Sequence, residues 1–261
     1  MCLLVLAWRC HPRYRLVLAA NRDEYHARPA AALAPWDDAP NIIGGRDLQA
    51  GGAWLAVDGT GRVGVVTNFR EFGRRRRSAP SRGGLIPAYL SGSQAPADYF
   101  QSLETDAPGY AGFNLLLADA RSLWYASNRA DVFARELGPG VHGLSNEFLD
   151  TPWPKLVRVR AGFRALLASP AAADVRALSA GLFDLLADRE PAPPDEVPPG
   201  DLSPEWARTL SAPFVLDPSY GTRCSTVLTI TDGGTLVITE RRFDADGVQT
   251  SEAERALNVG P

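Results

Sequence analysis

Several features that would define a class of function are scarce in this sequence. Its 261 residues contain three cysteines, Cys2, Cys10 and Cys224, without CxxC spacing, which argues against a disulfide framework or a zinc site. The formal net charge is only −3, so we expect neither nucleic-acid nor membrane-surface binding. No apolar run approaches the roughly 18 residues that a membrane-spanning helix needs. The apolar segment 2–8 is too short for a signal-peptide core, and we expect a cytoplasmic protein.

The remaining composition is that of one globular domain. Hydrophobic residues make up 45% of the chain and charged residues 22%, which is typical of a folded protein with a substantial core. We find no internal repeat and no linker, so residues 1–261 are predicted to form a single domain. Residues 190–204 hold six prolines among fifteen positions and are predicted to form a loop or lid.

The first 24 residues organise the rest of the chain. Cys2 follows the initiator methionine and begins an apolar strand, and Asn21-Arg-Asp-Glu24 follows a second strand at 15–20. If Met1 is removed, Cys2 carries a thiol and a free α-amine whose ordinary pKa near 8 suits it to accept the thiol proton. Antiparallel pairing of the two strands would bring Arg22 and Asp23 to the same end of the sheet.

Hydrophobic periodicity predicts an α+β fold with two sheets face to face and helices outside them. Residues 21–29 are predicted to be a polar exit loop, and residues 35–47 to be irregular. Further strands are predicted at 53–57, 62–67, 112–118, 122–127, 132–137, 221–230 and 235–240. Helices are predicted to end at Leu90, to span 95–104 and 172–187, and to begin at Pro152 with Thr151 as the cap.

An ordered series of short motifs runs nearly the whole length of the chain. They are Met1-Cys2, Asn21-Arg-Asp-Glu24 with Arg28-Pro29, Gly51-Gly-Ala-Trp54, Thr67-Asn68, Gly143-Leu-Ser-Asn146, Thr151-Pro-Trp-Pro-Lys155 and Gly221-Thr-Arg223. This series resembles the NRDE family, also called the transport and Golgi organisation protein 2 family. The resemblance implies the N-terminal-nucleophile hydrolase fold, a four-layer αββα sandwich shared with cysteine-type bile-salt hydrolases and penicillin V acylases. Animal members are implicated in mitochondrial and lipid homeostasis and in haem movement.

The hydrolase pattern assigns roles to single positions of this sequence. Cys2 matches the nucleophile, and Arg22 and Asp23 resemble the arginine and aspartate that steady the thiolate and the α-amine. Arg223 resembles the late arginine of such a site.

Amide side chains complete the implied site. Asn68 resembles the asparagine that helps to form the oxyanion hole, and Asn146 resembles a second asparagine near the nucleophile. We assign Asn21, Glu24 and Trp54 to substrate binding.

Each of these features also has an ordinary structural interpretation. Cys2 could be a small buried hydrophobic residue, and Asn21-Arg-Asp-Glu24 could be a solvated turn with one ion pair. Asn68 and Asn146 could be turn residues. The run Arg74-Arg-Arg-Arg77 is either a solvated loop or a rim that attracts anionic ligands.

Three functions follow from these alternatives. The leading hypothesis is hydrolysis of a non-peptide C–N amide bond in a small acyl substrate, which requires no cofactor. The second is a carrier or chaperone that binds haem or a lipid-like acyl ligand, with Cys2 or His26 as an axial haem ligand. The third is a scaffold with a vestigial pocket. The fold does not choose among them.

Overall fold

A computed structural model describes residues 2–71, 79–200 and 202–260, so the arginine run 74–77 lies outside the described residues. The described strands form two antiparallel sheets. The six-stranded sheet contains, in spatial order, β10 (Gly140–Leu144), β1 (Cys2–His11), β2 (Tyr14–Tyr25), β11 (Tyr220–Thr231), β12 (Thr235–Phe243) and β13 (Gln249–Asn258). The seven-stranded sheet contains β3 (Ala30–Trp36), β4 (Ala39–Asp47), β5 (Leu55–Asp58), β6 (Val63–Asn68), β7 (Phe113–Ala118), β8 (Leu123–Ser127) and β9 (Ala134–Glu136).

The helices lie in two groups along the chain. The first group is α1 (Leu85–Leu90) and α2 (Pro96–Leu103), and the second is α3 (Pro154–Leu167), α4 (Val175–Leu186) and α5 (Pro204–Thr209). Short 3₁₀ turns are found at Arg82–Gly84, Ala107–Gly109 and Pro170–Ala173. No helix in the described part of the chain is long and apolar enough to span a bilayer.

Strand β1 from Cys2 to Trp8 and strand β2 from Tyr14 to Ala20 are apolar at nearly every position because both of their faces are covered. Leu4 and Leu6 belong to the core between the two sheets, whereas Leu3 and Val5 pack against helices. This division follows from the alternation of side chains along a strand. An unbroken apolar run in the sequence therefore identified a central strand.

Each sheet carries helices on its outer face. The side chains Leu156, Val159 and Phe163 of α3 and the apolar stripe of α4 pack on the six-stranded sheet. Helices α1 and α2 cover the outer face of the seven-stranded sheet through residues such as Ile86 and Phe100. The resulting layer order is α, β, β, α. This confirms the predicted four-layer sandwich.

Two stretches that we predicted to lack regular structure are strands. Strand β2 continues through Tyr25, so Asn21, Arg22 and Asp23 lie within a sheet and are buried rather than in an exit loop. Their polar side chains find partners across the sheet, which local sequence patterns do not reveal. Residues 35–47 belong largely to the β3–β4 hairpin, whose glycines and prolines hid the strand pattern.

Two boundaries near the helices also differ from the sequence prediction. Helix α3 begins at Pro154 rather than Pro152, and its N-terminal capping residue is Trp153 without a side-chain cap. A proline does begin this helix as predicted, but it is Pro154 rather than Pro152. Strand β13 was not predicted, because its mostly exposed, charged residues carry a weak hydrophobic pattern.

The described residues of the proline-rich segment 190–204 form no helix or strand before Pro204, where α5 begins. It is anchored at its start, because the buried Ala192 donates its backbone N–H to Ser211 Oγ at 2.8 Å. Val197 and Pro198 from this segment contribute to a small cavity beside Trp153 and Lys155. The segment therefore covers the α3 side of the sandwich.

We expect Phe163→Ala to reduce the free energy of unfolding by about 3–5 kcal/mol, because Phe163 fills the space between α3 and the sheet. Urea unfolding of the purified variant measures this change. Val132→Ala is the control, because Val132 is 69% exposed, and it should change stability by less than about 0.5 kcal/mol. Equal losses in the two variants would contradict the assigned layer packing.

Candidate active site

The site lies where β1 begins, at one end of the six-stranded sheet. Cys2 pairs with Arg22 on β2, and Arg22 pairs in turn with Cys224 on β11. Strand alternation places Cys2 on the same face as Leu4, toward the second sheet. A narrow cleft of about 20 Å³ opens there, with room for about one water molecule. Its walls include Cys2, Arg22, Trp54, Val65, Thr67 and Thr226.

The backbone of Cys2 is fixed by the loop that follows β10. Its nitrogen donates a hydrogen bond to Asn146 Oδ1 at 3.0 Å, and its carbonyl accepts one from Ser145 Oγ at 2.9 Å. Asn146 Nδ2 donates to the carbonyl of Asn68 at 2.8 Å. One amide side chain therefore joins the start of β1 to the end of β6 in the other sheet.

Burial is the main influence on the Cys2 thiol. Burial raises the pKa of the Cys2 thiol above its ordinary value of 9.0, and the nearby Asp23 carboxylate acts in the same direction. The Asp23 backbone amide and the Arg22 guanidinium oppose this rise in pKa. The thiol is therefore protonated at neutral pH, and its use as a nucleophile requires a base beside it.

Arg22 is buried on the cleft side of the sheet. Its guanidinium lies over the Trp54 ring, 4.3 Å from the ring centroid, and its Nη2 is 3.9 Å from Glu24 Oε2. Its Nη1 finds no hydrogen-bond partner among the described residues. The stacked ring needs a glycine opposite, because a Cβ at Gly45 would lie 2.2 Å from the Trp54 ring. The cleft thus contains a guanidinium N–H group available to a ligand.

Asp23 faces the helices, on the opposite side of the sheet from Arg22. Its Oδ1 accepts a hydrogen bond from Thr222 Oγ1 at 2.7 Å. Burial raises the pKa of Asp23, and the positive charge of Lys155 opposes that rise. Lys155 is the only lysine of the chain, is 3% exposed, and donates to the carbonyl of Leu210 at 2.9 Å.

Two of the predicted site residues have side chains engaged by the protein itself. The amide nitrogen of Asn21 donates to the carbonyls of Leu186 and Pro213, both at 2.9 Å, and its oxygen accepts from Ser225 Oγ at 2.6 Å. Arg223 Nη1 donates to the carbonyls of Tyr25, His26 and Arg28. Asn21 therefore has no polar atom left for a substrate, and Arg223 holds the turn after β2.

Glu24 lies at the rim of the site, whereas Asn68 ends β6, where strand alternation turns its side chain to the opposite face of the sheet from Thr67. Asn68 is exposed, and its side-chain amide makes no hydrogen bond in the described part of the chain. Thr67, its neighbour, points toward the cleft and donates to the carbonyl of Ser145 at 3.0 Å. Glu24 is half-buried, 3.9 Å from Nη2 of Arg22 and 3.9 Å from Nε of Arg28.

As the structure stands, neither candidate axial haem ligand is open to a haem group. His26 Nε2 is already bonded to the carbonyl of Asp217 at 3.0 Å. The cleft at Cys2 has room for about one water molecule, so any larger ligand, haem included, would require it to widen. Among the described residues, no group of three or more His, Cys, Asp or Glu side chains could hold a metal ion.

The layer order and the cysteine at the start of β1 place the chain in a structural class. Its fold is that of the N-terminal-nucleophile hydrolases, and it is similar to the solved Caenorhabditis elegans N-acylethanolamine-hydrolyzing acid amidase ortholog. That match has a TM-score of 0.50 and 10% identity and covers 87% of this chain and 92% of that chain. At this identity, the likeness concerns the fold alone.

Sequence comparison gives the family. A family model described as Transport and Golgi organisation 2 matches residues 1–245. The chain is 31% identical over 257 residues to the mouse Transport and Golgi organization 2 homolog, covering 92% of each. The chain is 28% identical over 256 residues to the Drosophila melanogaster Transport and Golgi organization protein 2, and the match covers 88% of both chains. The chain belongs to the Transport and Golgi organisation 2 family, which confirms the resemblance found in the motifs.

Sequence reasoning missed the residues that support the site from behind. Thr222 and Lys155 stand inside motifs that we had recognised, but neither was assigned a role. The only lysine in 261 residues was a compositional signal that pointed to Lys155. Asp150 was missed as well. It adopts a left-handed backbone conformation with φ of 64°, and its carboxylate binds the Gly143 amide at 2.8 Å and Arg160 Nη1 at 3.0 Å.

A pH-dependent contact holds the loop that carries Asn146. His142 Nδ1 lies 3.2 Å from Asp150 Oδ2, and this hydrogen bond raises the pKa of His142 above its ordinary 6.5. A histidine whose pKa is higher in the folded state than in the unfolded state contributes its full stabilisation below the unfolded-state pKa. That contribution is lost as the pH rises through the folded-state pKa.

We therefore expect His142→Gln to lose more thermal stability relative to the unmodified protein at about pH 5.5 than at about pH 8.5. Thermal unfolding at both pH values measures the difference. His11→Gln is the control, because no carboxylate among the described residues pairs with His11. A His142→Gln effect that is equal at both pH values would contradict the assigned pair.

Proposed function

We propose that this protein is an N-terminal-cysteine amidohydrolase that cleaves a non-peptide C–N amide bond in a small acyl substrate. The observation that carries the proposal is the 3.0 Å hydrogen bond from the Cys2 nitrogen to Asn146 Oδ1, with the Cys2 side chain facing the cleft. After removal of Met1, that nitrogen is a free amine. Its N–H directed at Asn146 leaves the nitrogen lone pair available to the thiol of the same residue.

The first half of the reaction forms a thioester. The α-amine of Cys2 takes the thiol proton, and the sulfur attacks the amide carbonyl to form a C–S bond. The oxyanion then collapses and the C–N bond breaks. The leaving nitrogen takes the proton from the α-ammonium group and departs as an amine.

The second half regenerates the enzyme. Water attacks the thioester carbonyl while the α-amine takes one of its protons. The C–S bond breaks, the carboxylic acid leaves, and the thiolate recovers the proton. No cofactor is required in either half.

The two asparagines take different parts in this proposal. Asn146 uses both ends of its amide on the protein, on the Cys2 nitrogen and the Asn68 carbonyl, and it orients the amine. The Asn68 side chain is exposed, and we assign it the oxyanion donor, a role that requires it to turn toward the cleft. A neutral amide donor suits this task because it stabilises developing negative charge without a proton transfer.

The charges around Cys2 are divided between the two faces of the sheet. Arg22 faces the cleft, where its unpaired Nη1 stabilises the thiolate and the oxyanion that forms on the substrate. Asp23 and Lys155 lie on the helix side, where the carboxylate attracts the α-ammonium group and the lysine limits that attraction. This balance keeps the amine close to the thiol without fixing its proton permanently.

The substrate class is supported by the shape of the cleft and by analogy. The cleft between the sheets is narrow and lined by apolar side chains such as Leu4, Leu55 and Val65, which suits an acyl chain. The structural neighbour is an N-acylethanolamine-hydrolyzing acid amidase ortholog, which favours N-acyl amides as the first compounds to test. Substrate binding requires the cleft to widen, because its volume of about 20 Å³ has room for only about one water molecule.

We expect an electrophilic acyl probe to modify the purified, untagged protein once, at Cys2. Intact mass and peptide mapping measure the adduct. Cys2→Ala should lose the adduct and the hydrolysis of chromogenic N-acyl anilides, while its thermal midpoint changes little.

The matched control is Cys10→Ala, which removes a cysteine that is more exposed than Cys2 but distant along the same strand. It should keep both labelling and turnover. Unchanged turnover in Cys2→Ala would rule out the proposed nucleophile. Tight binding of the acyl compounds with no adduct would instead favour the non-catalytic carrier.

We expect Asn68→Ala to lower kcat by roughly 10²–10³-fold with little change in KM, because the donor acts mainly in the transition state. Steady-state kinetics on the best N-acyl anilide measures kcat and KM separately. Asn41→Ala is the control, because Asn41 also sits at an exposed strand position but binds only the Gly59 amide. A change confined to KM would contradict the oxyanion role.

A further inference from the structure

A second cleft opens at the other end of the sandwich, away from Cys2. It lies seven residues along β1 from Cys2, or about 23 Å of extended strand. Its volume is about 600 Å³, and it is lined by Arg9, His11, Arg15, Ala120, Arg121 and Asp232. This volume is within the range of small-molecule sites, roughly 300–1,000 Å³. The lining comes from both sheets, and three of its six side chains are arginines.

Arg15 is the unusual member of this cleft. It is only 6% exposed, and its buried Nη2 has no hydrogen-bond partner among the described residues. No carboxylate in that part of the chain lies within salt-bridge distance of Arg15. Burial lowers the pKa of Arg15 and the neighbouring Arg9 lowers it further, whereas the more distant carboxylates of Asp232 and Asp119 oppose this fall. An unpaired buried cation destabilises a fold, so its retention calls for a compensating partner.

Arg9 is held beside Arg15 at an energetic cost. Its backbone is left-handed, with φ of 44°, at a register shift between Trp8 and His11 in the β1–β2 ladder. Side chains other than glycine adopt this conformation rarely. The bulge lets Arg9 Nη2 reach the carbonyl of Ala120 in the other sheet at 2.7 Å. The strained backbone of Arg9, the burial of Arg15 and the repulsion between their two positive charges are therefore found at one place.

His11 adds a neutral donor to the same cleft. Its Nδ1 accepts the backbone N–H of Arg13 at 3.2 Å, which leaves the proton of a neutral ring on Nε2. Arg121 is exposed, and its guanidinium has no carboxylate within salt-bridge distance in the described residues. Asp232 is the one acidic side chain of the lining.

We propose that this cleft is a binding site for a phosphate-bearing small ligand, a phosphomonoester or a pyrophosphate. Arg9, Arg15 and Arg121 present guanidinium groups, whose fork of donors matches phosphate oxygens. Three such groups suit a doubly charged anion better than a single carboxylate. The ligand would neutralise the charge of Arg15 and remove its repulsion with Arg9. Asp232 at the rim can accept a hydrogen bond from a hydroxyl group of the ligand.

This site is independent of the proposed reaction at Cys2. The two clefts lie at opposite ends of β1, and they share no lining residue. Failure of either proposal leaves the other standing.

The test uses the purified full-length chain and inorganic pyrophosphate. Calorimetric titration should detect binding that weakens as salt is added. Arg15→Met should weaken the binding by roughly tenfold or more, because it removes a charge-assisted contact. Without ligand, the same variant should have an equal or higher thermal midpoint, because it removes an unpaired buried charge. A loss of binding combined with retained stability is the expected signature of a ligand site.

Arg62→Met is the matched control. Arg62 is also largely buried, but its guanidinium donates to the carbonyls of Gly92 at 2.6 Å and Gln94 at 2.8 Å. This variant should lower the thermal midpoint and leave pyrophosphate binding intact. The opposite pattern, with Arg62 required for binding and Arg15 dispensable, would overturn the proposal.

A lipid head group and a free ligand share this phosphate chemistry, and a second arm separates them. Phosphatidylcholine vesicles with and without phosphatidic acid are sedimented with the protein. Pyrophosphate binding that depends on Arg15 supports a soluble ligand. Arg15-dependent binding to phosphatidic acid vesicles alone supports a lipid head group. If neither probe binds, or if Arg15→Met binds both as well as the unmodified protein, the proposal is wrong.

Discussion

The side-chain amide of Asn146 makes the contact on which the rest of the site depends. Its oxygen holds the nitrogen of Cys2 at 3.0 Å and its nitrogen holds the carbonyl of Asn68 at 2.8 Å. The two bonds tie the start of β1 to the end of β6, and together with the hydrogen bond from Thr67 to the carbonyl of Ser145 they align the two sheets at this end. The loop that carries Asn146 is fixed in turn by Thr67 and Asp150. Cys2, which lies near a chain end where a strand would ordinarily fray, is therefore held in place.

Strand alternation then divides the chemistry between two environments. Arg22 and Asp23 are neighbours in sequence, but one faces the apolar cleft and the other faces the helices. The guanidinium reaches the thiol side, while the carboxylate is held by Thr222 in a buried setting with Lys155 nearby. The same alternation makes Asn21 a structural residue, because its amide is directed at the end of α4. The four-residue motif therefore combines site positions and structural positions.

The sequence predicted the fold and the pairing of Cys2 with Arg22 well, because both depend on local patterns. The unbroken apolar run after Cys2 identified a central strand, and the Asp58-Gly59 turn identified a hairpin that the structure confirms. The partners of single side chains could not be predicted in this way. Thr222 meets Asp23 across 199 residues, and the turn carbonyls that engage Arg223 lie just as far away in sequence. Strand β13 and the β3–β4 hairpin were missed because exposed charges, glycines and prolines weaken the pattern that tertiary pairing overrides.

The state of the amino terminus tests the central claim most directly, because only a free α-amine on Cys2 can serve as the base of the proposed mechanism. Intact mass and amino-terminal sequencing of the untagged protein, isolated from cells without added protease, determine that state. The proposed mechanism predicts a chain that lacks Met1 and begins with an unmodified Cys2. A chain that retains Met1, or whose Cys2 amine is acylated, would contradict the mechanism.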